Sequence, residues 1–262
     1  TITKNKRYNR NNEILYMQLE TLASMLREQG GAYPSEVIER GWEILLLNQF
    51  HDIIPGSCIE AVYRQSAQEY EEIQKRGEET LRAIAEKGAK TVDTQDHAIV
   101  VYHTQGYVRN DVIFVEGLEQ VPVEKVTEED GRELAFQRTS DGKIVFYAEG
   151  IPKLGCKVFY YTAGDEKKHS CQWDGHFENR FYSVTFNECM EIVSLIEKQT
   201  GKQLIKDGKK ANEIITYEDR PMNWDNWDID IFYKKKPYYA DKVSDVRVLE
   251  DRQVRKTLEI IK

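Results

Sequence analysis

The stretch Asn48-Gln49-Phe50-His51-Asp52-Ile53-Ile54-Pro55-Gly56-Ser57 holds the residues best suited to chemistry. A neutral imidazole is a good zinc ligand, and a carboxylate beside it can accept sugar hydroxyls. The pair follows a strongly apolar segment and precedes a rigid Pro-Gly turn, a setting that fixes a side chain at a helix end. The position also has a plainer use, because a helix C-terminus favours an imidazole through its dipole. Other candidates are weaker. His176-Phe177-Glu178 imitates a ligand pair, but it follows the Asp174-Gly175 turn and precedes a strand, so a surface role is expected. Asp228 and Asp230 would share one strand face, roughly 7 Å apart, near the spacing of an inverting glycosidase pair. Two carboxylates on a solvated strand face are far commoner, and that is the expectation here. Trp173, Trp224 and Trp227 suit either stacking on sugars or burial in a sandwich. Lys234-Lys235-Lys236, followed by Tyr238 and Tyr239, reads as a solvated edge strand, because lysines blunt edge pairing.

These residues need elements to position them, and the chain changes period near residue 90. Before that point the apolar spacing is helical. A first helix is expected over about 12–28, with Ile14, Met17, Leu22 and Met25 or Leu26 as its stripe and Gly30-Gly31 as its stop. A second opens at Pro34, buries Val37, Ile38, Trp42, Leu45 and Leu46, and ends near 48–51. A third opens with Ser57-Cys58-Ile59-Glu60, which has the form of a capping box, and runs to about Lys87. Short connections predict an antiparallel three-helix bundle. Beyond His97 the segments are short and β-rich. Strands are expected over 98–102, 112–115, 143–148, 157–162, 181–186, 213–217, 227–233, 243–249 and 253–261, separated by turns such as Asp141-Gly142, Thr200-Gly201 and Asp207-Gly208. The fold class is thus α+β multidomain. A helical domain over about 1–90 precedes an antiparallel β-sandwich over about 91–262. The last strand runs to Lys262, so a truncated sandwich is expected, and Thr1 in place of Met suggests a cut from a longer chain.

Composition narrows the function. The chain has 262 residues, 40% hydrophobic and 31% charged, as soluble domains do. A net charge of -8 disfavours a nucleic-acid partner. No apolar run approaches the roughly 20 residues of a membrane span, so no membrane partner is expected. The four cysteines, Cys58, Cys156, Cys171 and Cys189, form no C-x-x-C pair, and reduced thiols in the cytoplasm are the expectation.

The run Leu45-Leu46-Leu47-Asn48-Gln49-Phe50-His51-Asp52-Ile53-Ile54-Pro55-Gly56-Ser57 resembles the central motif of family 38 glycoside hydrolases, the α-mannosidases, and is closest to their bacterial and cytosolic branch. Lys4-Asn5-Lys6-Arg7-Tyr8-Asn9-Arg10 with Glu13 resembles the basic stretch after that family's catalytic barrel. Glu218-Asp219-Arg220-Pro221 through Trp224-Asp225-Asn226-Trp227-Asp228-Ile229-Asp230 resembles its Trp-Asp segment. The resemblance implies that His51 is a ligand of a catalytic zinc and that Asp52 lines the sugar subsite. It further implies retaining hydrolysis through an aspartate nucleophile and a second carboxyl group, with zinc as template and Lewis acid. The substrate would be a mannose-containing oligosaccharide. No catalytic residue is assigned to this chain. The family's His-x-Asp ligand pair is absent, since the five histidines are followed by Asp-Ile, Ala-Ile, Thr-Gln, Ser-Cys and Phe-Glu. The nucleophile is expected on an upstream α/β barrel of the same polypeptide, so this chain alone should be inactive. Homo-oligomerisation is left open. The rival reading is a non-catalytic carbohydrate-binding β-sandwich.

Overall fold

Helical spacing in the first ninety residues becomes three packed helices in the computed structural model, which describes residues 3–27, 30–165, 173–224, 228–251 and 253–262. Helix α1 (Thr3–Arg27) buries Leu15, Tyr16, Leu19, Leu22, Ala23 and Leu26, a stripe at three- and four-residue steps. Helix α2 (Ser35–Asn48) buries Ile38, Gly41, Ile44, Leu45 and Asn48. Helix α3 (Glu60–Ala89) buries Ser66, Tyr70, Ile73 and Gly77. Two glycines let the helices approach closely. Gly41 lies under the Tyr16 ring and Gly77 under Leu15, each nearer than a Cβ would allow. The Tyr16 hydroxyl donates to the Ile73 carbonyl at 2.9 Å, tying α1 to α3.

Several expectations are corrected here. Helix α1 begins nine residues earlier than the apolar stripe predicts, so the basic stretch 4–10 forms its first turns. Its buried stripe is rotated from the expected one, leaving Ile14 and Met17 exposed, because the partner helices meet the face carrying Leu15, Tyr16 and Leu19. Leu46 on α2 is likewise exposed. The capping box does not form. Ile59 occupies the cap position of α3 without a side-chain bond, and the Ser57 hydroxyl donates to the Asp52 carbonyl instead (3.3 Å).

Alternation after residue 97 gives two small antiparallel sheets sharing one core. The first joins β1 (Ala98–His103), β7 (Gly155–Ala163), β3 (Val123–Glu128) and β4 (Glu133–Leu134) in that order. The second joins β2 (Arg109–Val115), β6 (Ile144–Ile151) and β5 (Phe136–Arg138). Val123, Val126, Ile144, Phe146 and Phe159 are fully buried between them, with the Phe146 and Phe159 rings edge to face at 4.9 Å. Beyond residue 173 the strands pair locally. A four-stranded sheet joins β8 (His176–Glu178), β9 (Tyr182–Phe186), β10 (Ile192–Glu197) and β11 (Lys202–Gln203). Two hairpin-like pairs follow, β12 (Ile215–Tyr217) with β13 (Pro237–Tyr239), and β14 (Asp245–Asp251) with β15 (Lys256–Ile261). The expected strand over 227–233 is replaced by a 3-10 helix at Ile231–Lys235, so Lys234 and Lys235 lie on that turn and not on an edge strand. His176-Phe177-Glu178 is itself a strand. Cys171, Asp225, Asn226 and Trp227 lie outside the described residues.

The bundle meets the sheets at the far end of α3. Tyr102 of β1 reaches Gly88, where a Cβ would fall 2.8 Å from its hydroxyl oxygen. Arg82 pairs with Glu116 at 3.2 Å across the same junction, and Lys143 joins Glu116 at 3.0 Å.

Candidate functional site

The turn between α2 and α3 exposes an imidazole and a carboxylate side by side. His51 Nε2 lies 3.6 Å from Asp52 Oδ2, with the two side chains 77% and 50% exposed. The chain leaves α2 through a tight descent. Phe50 N donates to Leu47 O, and Ile53 N and Ile54 N both donate to Phe50 O. Gly56 closes it with φ +97, a value that suits glycine after Pro55. The Phe50 ring packs against the imidazole at 4.2 Å between centroids.

Side chains from α1 and α3 hold the turn from beneath. Asn48 is buried and donates to Ile44 O (3.0 Å) and to Glu69 Oε2 (2.8 Å). Gln49 donates to Asn9 Oδ1 (3.0 Å) and Glu13 Oε1 (2.8 Å). Asn5 donates to the Ile53 carbonyl at 3.1 Å and accepts from the Ser66 hydroxyl at 2.9 Å. The Tyr63 hydroxyl accepts from the Cys58 amide (2.8 Å) and donates toward the carbonyls of Asp52 and Ile53 (3.4 and 3.3 Å). Burial pushes the Tyr63 hydroxyl up, so it stays protonated and able to donate at neutral pH. Rigid backbone under exposed donors is what a metal or sugar site requires. Tyr63→Phe is expected to cost about 1 kcal/mol of stability and to speed amide exchange over 52–58, read by denaturant titration and hydrogen exchange. Unchanged exchange would mean that the hydroxyl does not hold the turn.

The supporting polar residues escaped sequence reasoning. Asn5, Asn9 and Glu13 recur at four-residue steps on α1, which is a readable stripe. It points at the turn only once α1 is known to start at Thr3.

The remaining candidates do not join His51. His176 lies 3.4 Å from Glu178, which Lys198 already holds at 2.5 Å on the surface of β8. Asp228 and Asp230 sit outside any strand, and their oxygens accept from the Ile229 and Met222 amides (both 2.8 Å). Trp173 packs against Phe177 and Phe186, whereas Trp224 is 77% exposed with φ +60. Among the described residues no three His, Cys, Asp or Glu side chains form a metal-holding group. His51 offers one exposed imidazole nitrogen, which fits zinc only as part of a larger ligand set, with the Asp52 carboxylate beside it.

Residues 1–87 match the alpha mannosidase middle domain model, and residues 177–261 match the glycosyl hydrolases family 38 C-terminal domain model. The chain belongs to glycosyl hydrolase family 38. Similar proteins include alpha-mannosidase 2C1 of Mus musculus, 26% identical over 86% of this chain and 20% of that protein. Alpha-mannosidase of Saccharomyces cerevisiae is 26% identical over 98% of this chain and 20% of its own length. The chain thus spans about a fifth of the length of these curated relatives. An alpha-mannosidase structure from Enterococcus faecalis V583 shares the fold, with a TM-score of 0.67 at 17% identity over 94% of this chain and 33% of that one. Among the described residues no helix is long and apolar enough to cross a membrane.

Proposed function

We propose that this family 38 chain is the part of a retaining α-mannosidase that presents His51 to a catalytic zinc and Asp52 to the bound sugar. The observation that carries the reading is the exposed His51–Asp52 pair on a turn braced from both neighbouring helices. Asp52, beside the imidazole, is placed to accept hydroxyls of a terminal α-linked mannose. Bound zinc would supply Lewis acidity and a template for sugar hydroxyls. A single imidazole is too little to hold it, since catalytic sites use about three protein ligands. The missing ligands, the nucleophile and the acid/base would come from the remainder of a longer polypeptide, and this chain alone is inactive. The helical part, about 1–90, is the unit that carries the ligand, and the β part, about 91–262, supports it. A cytoplasmic location is part of this reading; among the described residues Cys58, Cys156 and Cys189 form no disulfide.

The test uses the full-length parent as wild type and His51→Ala, with bound metal and aryl α-mannoside hydrolysis measured on both. Metal content and kcat/KM should fall together, the rate by about 100-fold or more, with the circular dichroism unchanged. A mutant that keeps metal and rate removes His51 from the site.

A further inference from the structure

The outward face of helix α2 changes character along its length. Its first turns expose Glu36, Glu39, Arg40 and Glu43, as a solvated helix does. From Leu46 onward the same face is apolar. Leu46, Leu47 and Phe50 are each more than half exposed, opposite the buried Ile44, Leu45 and Asn48. Leu46 and Phe50 lie four residues apart, as do Leu47 and His51, so one stripe of side chains runs to the imidazole. Ile59 joins it from the start of α3 and is also more than half exposed. It follows Cys58, whose amide donates at 2.8 Å to the Tyr63 hydroxyl that also reaches the Asp52 and Ile53 carbonyls.

A helix that is apolar on every side is a covered helix, and large apolar side chains clustered at a surface mark an interface. What stands beside the ridge narrows its cover. Glu43 and Glu60 flank it and are exposed, which disfavours an anionic lipid surface. A second copy of this chain would bring one more His51, and two imidazoles still fall short of the roughly three protein ligands of a catalytic zinc. The chain spans 20% of the length of its curated relatives, so most of such a polypeptide lies outside it.

We propose that the ridge of Leu46, Leu47, Phe50 and Ile59 is the seam on which the remainder of the polypeptide, the part bearing the other zinc ligands, docks. Docking buries the ridge and expels water from around His51, where a dry surround strengthens every charge interaction. Leu46 touches neither metal nor sugar in this arrangement and is a positioning residue. The inference rests on the reading of this chain as one part of a longer α-mannosidase, and not on His51 being a ligand.

The experiment uses the full-length parent with the photo-crosslinker benzoylphenylalanine in place of Leu46 and, as a control, in place of Glu39 on the charged turns. Mass spectrometry maps the peptides joined on irradiation. We expect position 46 to join peptides outside residues 1–262 and position 39 to join far fewer, with the same pattern when His51→Ala is added. Leu46→Glu should lower kcat/KM for an aryl α-mannoside about tenfold or more with the circular dichroism unchanged, and Leu46→Met should keep the rate. Crosslinks that are absent, stay within residues 1–262, join two copies or are equal at both positions overturn the proposal, as does a Leu46→Glu enzyme of wild-type rate. A His51→Ala enzyme that keeps its metal while position 46 still crosslinks outward removes His51 from the site and leaves the seam standing.

Discussion

Replacing Gly41 by alanine is expected to break the helical bundle. An alanine Cβ there would fall 1.9, 2.1 and 2.5 Å from Cε1, Cζ and the hydroxyl oxygen of Tyr16. Tyr16 has no room to yield, because it is fully buried, tilts against Trp42 at 6.2 Å and donates to Ile73 O. Burial pushes its hydroxyl up to about 12, so the donor persists at all ordinary pH. Two effects oppose each other. Alanine gains about 1 kcal/mol of helix propensity over glycine. Overpacking costs about 1–3 kcal/mol, and a buried Tyr16 hydroxyl shifted off its Ile73 acceptor costs about 1–3 kcal/mol more. The clash wins. A urea titration should show the midpoint falling for Gly41→Ala, with partial recovery when Tyr16→Leu is added. A rise of about 1 kcal/mol would mean that the helices do not approach this closely.

Glu250→Ala is expected to release the β14–β15 pair from β5. The Glu250 side chain is 2% exposed, yet it accepts from Arg255 Nε and Nη2 (both 2.5 Å), from the Ser140 amide (2.9 Å) and from the Thr257 hydroxyl (3.2 Å). Gln137, fully buried on β5, exchanges two bonds with the Arg255 backbone at 2.9 and 3.0 Å. Removing the carboxylate takes the acceptor from the Ser140 amide, the Thr257 hydroxyl and a partly exposed guanidinium, at a cost of about 1–3 kcal/mol. The same group gives an acid dependence. Burial pushes its carboxyl up, but the bonds from Arg255, the Ser140 amide and Thr257 outweigh it and hold the value below the usual range. A depressed folded value means the contribution is full above the unfolded value near 4.3. It is lost as pH falls through the lower folded value. Limited proteolysis should cut near 251–256 faster in the mutant at pH 7, and in wild type only on acidification. Equal rates at both pH values would show that Glu250 does not latch the hairpin.

The legible parts of the sequence were those where one period held without interruption. Helix α2 lies almost where its Pro34 start and apolar run place it. The strands β1, β6 and β7 also match their β-rich runs, because each is long and paired along its length. Strand β3 was invisible for a physical reason. A register shift between Val123 and Lys125 puts its buried residues three apart, at Val123 and Val126, which defeats a search for alternation. The opposite error arose at 227–233, where Asp228, Ile229, Asp230 and Ile231 alternate but pair with no strand among the described residues. With Ile229 and Ile231 exposed, a 3-10 turn follows instead. At the candidate site the sequence marked His51 and Asp52. It did not reveal the bracing, because Asn5, Tyr63 and Ser66 act across 48, 10 and 61 residues of chain respectively.

Helix α3 works as a gauge between two distant fixtures. Its first turn follows the His51 segment and its last packs under Tyr102, with thirty residues between, about 45 Å at the usual rise. Length and angle are quantised together along such a rod. One inserted residue would advance the far end by about 1.5 Å but swing it by about 100°, turning the imidazole away from whatever it faces. Seven inserted residues would nearly restore the phase while adding about 10 Å of reach. Changes in the length of α3 are thus tolerable only where the residues added nearly close whole turns, as seven or eleven do, whereas the loops between strands carry no such counting rule.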